Sequence, residues 1–211
     1  MNNSENTLLN PWYSMWTNPR ATIQRLVDSR PTHFVLFLSA VAGFSQALDQ
    51  ASVRNMGDSF EWQTIVLISA ISGAFAGVLG LYVGGALLRR TGSWIGGRAS
   101  TENIRAAIAW SSVPTVWALL LWLPGLAIFG QEIFTTETPI IDASTTRLYL
   151  FGGFGLFGAI IGLWAFVVFL MCLGQVQGFS TWKALGNLLI SVGVLLIIVA
   201  IGVLGFMGFA Q

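Results

Sequence analysis

The residues of this chain with chemical potential are few, and their spacing argues against most reactions. Gly153-Phe154-Gly155-Leu156-Phe157-Gly158 matches the G-x-G-x-x-G dinucleotide fingerprint letter for letter. That fingerprint works after a strand, before a helix, and with an acidic residue about twenty positions on to hold the ribose. Here it opens an apolar helix and no acidic residue follows it, so nucleotide binding is not expected. Ser69, Ser72, Ser111 and Ser112 lie in apolar stretches without a histidine to activate them, and neither G-x-S-x-G nor H-E-x-x-H occurs. Their hydroxyls are expected to bond backbone carbonyls or neighbouring helices. His33 is the only histidine and has no second imidazole with which to share a metal. Cys172 is the only cysteine, which rules out an intramolecular disulfide, and its apolar surroundings read as those of a small buried hydrophobe. We expect no catalytic residue, no cofactor and no metal.

The elements that position these residues belong to a membrane protein. Hydrophobic residues make up 55% of the chain and charged residues only 9%, against about 25% charged in soluble domains. A spanning helix needs about 20 mostly apolar residues. Uncharged stretches of that order are read as spans at 33–49, 63–88, 112–130, 149–173 and 184–207. The fourth stretch continues to Trp182 and would overshoot a hydrocarbon core of roughly 30 Å. Gly174-Gln175-Val176-Gln177-Gly178 is therefore read as a turn. Ser39, Ser45 and Gln46 dilute the first span, and Asp49 falls at its very end. The fold class is an all-α, polytopic bundle of about five transmembrane helices. Residues 1–32 form a cytoplasmic tail and 33–211 the membrane domain.

Charge placement tests the weak first span, because short cytoplasmic loops are enriched in Lys and Arg. Five spans with the N-terminus inside put Arg20, Arg25, Arg30, Arg89, Arg90, Arg98, Arg105 and Lys183 in the cytoplasm. Only Arg54 and Arg147 of the 10 basic residues then fall outside. Without the first span, Arg20, Arg25 and Arg30 would share a side with the Asp49 to Glu61 loop. Five spans therefore fit better than four, and the C-terminus is expected outside. The N-terminal stretch has no apolar signal-peptide core, so the first span is expected to direct insertion.

Flanking features are interfacial. Asn18-Pro19 reads as an N-cap with proline at the first helical position. Ile23, Leu26 and Val27 then fall on one helical face, and Arg20, Gln24 and Asp28 on the other. Before it, Trp12, Tyr13 and Trp16 crowd a short stretch suited to the headgroup layer. A second amphipathic helix is read from the Ser100 N-cap, running into the third span, which Pro114 and Pro124 should bend. Arg89, Arg90, Arg98 and Arg105 form a basic cluster that sets topology and is suited to anionic headgroups. Gly73-x-x-x-Gly77, Gly80-x-x-x-Gly84 and Gly158-x-x-x-Gly162 are small pairs that let helices approach closely, within one subunit or between two. Trp117 and Trp122 lie deeper than an aromatic belt and read as packing residues or the wall of a lipid-facing groove.

Two tracts carry a family resemblance: Trp16-Thr17-Asn18-Pro19-Arg20-Ala21-Thr22-Ile23-Gln24-Arg25-Leu26-Val27-Asp28, and the glycine-rich loop Gly92 to Ser100 followed by Ile104 to Pro114. With five spans, they resemble the Yip1-domain family of small polytopic membrane proteins, in its prokaryotic branch. The resemblance implies a non-catalytic scaffold or accessory factor in the bacterial plasma or inner membrane, with membrane lipids and a membrane protein or a second copy as partners. Aspartate, tyrosine and glycine signatures of the eukaryotic branch are not seen, which argues against Rab-type GTPase partnership, and no nucleic acid is implied. Candidate contact residues are Trp12, Trp16, Arg20, Ile23, Leu26, Val27 and the four arginines of the basic cluster. The alternative reading is a small transporter or exporter subunit moving a neutral or lipid-like substrate past Gln46, Tyr82, Ser111 and Asn187.

Overall fold

The computed structural model describes residues 10–209. Regular structure among the described residues is helical throughout: α1 (Pro11–Thr17), α2 (Pro19–Ser29), α3 (Val35–Val53), α4 (Trp62–Trp94), α5 (Thr101–Ser111), α6 (Val113–Ala118), α7 (Trp122–Phe129), α8 (Pro139–Asp142), α9 (Thr145–Gln177) and α10 (Thr181–Phe209). Local chemistry sets several of these ends. Asn10 Oδ1 accepts the Trp12 N–H at 3.1 Å and Pro11 takes the first position of α1. Ser100 Oγ accepts the Asn103 N–H at 3.1 Å to start α5. Asn18 precedes Pro19 as expected, but its side chain makes no capping bond.

Four stretches are long and apolar enough to cross a membrane: Trp62–Trp94, Thr101–Phe134, Thr145–Gln177 and Thr181–Leu204. Helix α3 has 19 residues and is more polar, so it is not among them. It nevertheless runs antiparallel along α4, with Ser39 beside Gly77 and Ala47 beside Gly73, giving five traverses in all. At their crossing a Cβ on Gly73 would lie 2.6 Å from the Gly43 carbonyl oxygen, so only glycine permits this separation. The third traverse is broken. Pro114 follows an interruption at Ser112, where Ser112 Oγ donates to Ala109 O at 2.6 Å and Ser111 Oγ to Ile108 O at 2.8 Å. A 3₁₀ turn at Leu119–Leu121 lies about one turn before Pro124, whose ring clashes with the carbonyl four residues back.

The turn expected at 174–178 begins later. Helix α9 continues through Gly174 to Gln177 and ends at Gly178, whose φ of 72° is left-handed. Phe179 N–H then closes back on Gly174 O at 2.7 Å. The helix continues because the Gln177 amide has a buried partner, the Leu88 carbonyl, which it reaches at 3.1 Å. Gly92 and Gly97 line the passage of that amide, and a side chain on either would collide with it.

The connections gather at two ends. At one, Arg20 Nη2 donates to Thr181 Oγ1 at 2.7 Å and Arg89 Nη1 to Thr101 Oγ1 at 2.7 Å. At the other, Gln131 accepts from Trp62 N–H and donates to Gly57 O and Phe60 O, while Asp58 accepts both Thr136 donors. Buried Glu132 there accepts the Ile140 and Ile141 N–H groups at 2.7 and 2.8 Å, starting α8. We call these the basic and the acidic end.

Candidate functional site

At the basic end, α1 and α2 dock on the bundle. Ile23 is 0% exposed and belongs to a core with Met15, Ala107, Trp110, Val113 and Cys172. Trp12, Trp16, Leu26 and Val27 pack against that core, and the Trp12 ring meets Trp110 edge-on at 5.9 Å. Ile23, expected on a lipid or partner surface, is thus covered by α5 and α9, while Trp12, Trp16, Leu26 and Val27 stay partly exposed. Amphipathicity specifies that such a face will be covered and leaves open by what. The basic residues divide likewise. Arg89, Arg90 and Arg98 are exposed. Arg105 turns inward, its guanidinium 4.1 Å over the Tyr82 ring and its stem against Gly85. Arg20 is exposed and tied to Thr181.

Of the three glycine pairs, Gly73 and Gly77 meet α3 of the same chain. Among the described residues, Gly80, Gly84, Gly158 and Gly162 have no neighbour within 4 Å of a Cβ position. Gly43, the partner of Gly73, was legible as the centre of Ser39-x-x-x-Gly43-x-x-x-Ala47 and escaped the sequence reading. The four residues of the alternative substrate path do not share one. Asn187 is buried in a network with Thr91, Ser191 and the Leu88 carbonyl, and buried Ser111 bonds its own helix. Tyr82 lies under Arg105, and only Gln46 lines a cavity.

That cavity, about 430 Å³ between α3, α4 and α5, adjoins a larger groove of about 560 Å³ between α3, α6, α7 and α9. Asp49 and Thr115 line both. Asp49 is not at the end of its helix, since α3 runs on to Val53. Its carboxylate faces the Trp122 indole. Ser45 and Ser52 lie on the same stripe of α3, with the Ser52 hydroxyl engaged by Ile133 O at 2.7 Å. The opposite wall is the glycine face of α9, including Gly152, Gly155, Gly158 and Gly162, flanked by Phe151 and Phe154. Of the dinucleotide-like glycines, Gly155 and Gly158 thus border a groove. Trp122 stacks on Phe134 with ring centroids 5.5 Å apart and closes one side. Periodicity could not disclose this groove, because it is the space between four helices.

The long apolar traverses make this a multi-pass membrane protein in contact with lipid. No curated protein and no solved structure matches the chain. The Yip1 domain model matches residues 13–204, from α1 into the last traverse, and the chain therefore belongs to the Yip1-domain family.

Proposed function

We propose that this protein is a non-catalytic membrane accessory factor that presents a preassembled basic face to anionic headgroups and to a membrane-protein partner. The observation that carries this reading is the docking of α1 and α2, which buries Ile23 and leaves Arg30, Arg89, Arg90 and Arg98 exposed at one end. Enrichment of cytoplasmic loops in Lys and Arg assigns that end to the cytoplasm, with the N-terminus inside and the C-terminus outside a bacterial plasma membrane. A basic residue near an anionic surface contributes about 1 kcal/mol, roughly five-fold in affinity. Changing Arg89, Arg90 and Arg98 together to Gln should weaken retention of phosphatidylglycerol by about that factor per residue and reduce the partners that co-purify in mild detergent. Unchanged retention and an unchanged partner set would sink the proposal. Robust flux of a neutral or lipid-like solute by the protein alone in proteoliposomes would replace it with the transporter reading.

A further inference from the structure

We propose that the groove beside Asp49 seats a glycerophospholipid bearing a primary amine, its ammonium on the Asp49 carboxylate and an acyl chain along the glycine face of α9. An ionisable side chain within a membrane helix is costly and calls for a partner. Asp49 opens into both cavities, and among the described residues neither is lined by an arginine or a lysine. Asp49 is exposed to this space, so an occupant of the groove would supply the charge that complements it. Ser45 and Thr115 line the same groove as Asp49. A primary ammonium, with three donors, suits a carboxylate flanked by hydroxyl oxygens, whereas a quaternary ammonium has none to offer.

The rest of the groove selects an amphiphile over a soluble amine. Its walls are Phe129, Phe151, Phe154, Ile133 and Ile161, with glycines where side chains would otherwise fill it. From Phe151 to Gly162 the α9 wall is about 16 Å long at about 1.5 Å of rise per residue. That is close to one leaflet, half of a hydrocarbon core of about 30 Å. A volume of about 560 Å³ lies within the usual range of ligand sites, about 300–1,000 Å³. Second, on the far side of Asp49, the buried Ser39 hydroxyl has no partner among the described residues and lines the adjoining cavity, a further unmet polar group in this part of the bundle.

The test is native mass spectrometry of detergent-purified protein titrated with phosphatidylethanolamine or phosphatidylcholine of identical chains, which differ only in methylation of the amine. The wild-type chain should retain the ethanolamine lipid at least about five-fold better, the order of one partly exposed ion pair. Asp49→Asn should remove the preference and Asp49→Glu keep it. Gly158→Leu should reduce retention of both lipids, while Gly84→Leu, outside the groove, should leave it unchanged. Equal retention of the two lipids by the wild-type chain overturns the proposal, and that comparison stands even if a variant fails to fold. A preference that survives Asp49→Asn overturns it too. So does a lipid-free dimer dissolved by Gly158→Leu, which would assign the groove to a second copy.

Discussion

Replacing Gly73 by alanine tests the α3–α4 crossing on which the bundle rests. The new Cβ would sit 2.6 Å from the Gly43 carbonyl oxygen and 2.8 Å from Ala47 Cβ, where ordinary contact begins at 3.4 Å. The shortfall is about 0.8 Å against backbone, which cannot rotate away, so the helices must part or shift. Overpacking of this kind costs about 1–3 kcal/mol. Alanine also favours the helix over glycine by about 1 kcal/mol, which would mask part of the effect. Gly84→Ala on the same helix cancels that gain, since a Cβ there meets nothing within 4 Å. The difference between the two variants isolates the steric cost. At about 2–4 °C per kcal/mol for a chain of this size, Gly73→Ala should melt about 2–12 °C below Gly84→Ala. Cys172 supplies the assay, being the only cysteine and 0% exposed, so a thiol-reactive fluorogenic dye reports unfolding. Equal melting temperatures, or a lower one for Gly84→Ala, would refute the reasoning.

The Leu88 carbonyl accepts from both Gln177 Nε2 and Asn187 Nδ2 at 3.1 Å. Either loss leaves it one side-chain donor, so Gln177→Ala with Asn187→Ala should lower the melting temperature by more than the sum of the single effects; simple additivity would count against a shared acceptor. At the acidic end, the Asp58 carboxyl is held below the ordinary carboxylate range, first by the Thr136 hydroxyl and then by the Thr136 backbone N–H. A lowered folded value means that this attachment is complete above the unfolded value and is lost as pH falls through the folded one. Protection of the Thr136 amide against hydrogen exchange, taken relative to its intrinsic rate at each pH, should therefore fall at acid pH in the wild-type chain. In Asp58→Asn that acid step should disappear, and its persistence would contradict the assignment.

Much of the architecture was legible without coordinates. Apolar stretches free of charge located the traverses, because a helix in lipid must satisfy its own backbone and present apolar side chains. The prolines at 114 and 124 announced the broken third traverse through their missing donors and ring clashes. Ser111 and Ser112 were legible as partners for the freed carbonyls. Tertiary structure decided what pattern alone leaves open. The apolar face of α2 reads the same whether lipid or protein covers it, and only the docking on α5 and α9 shows that Ile23 is core. Glycine pairs announce closeness without naming a neighbour, so Gly73 and Gly158 look alike in sequence, yet one meets α3 and the other borders a groove. The end of α9 moved past Gly174 because Gln177 found a buried carbonyl on α4, a contact between residues far apart in the chain. Asp49 is the sharpest case. Hydropathy puts it at the end of a weak span, where a carboxylate is unremarkable. The gap left between α3 and α9 turns it toward a groove with no cation among its described lining residues, because a cavity is a property of surfaces brought together and of no single segment.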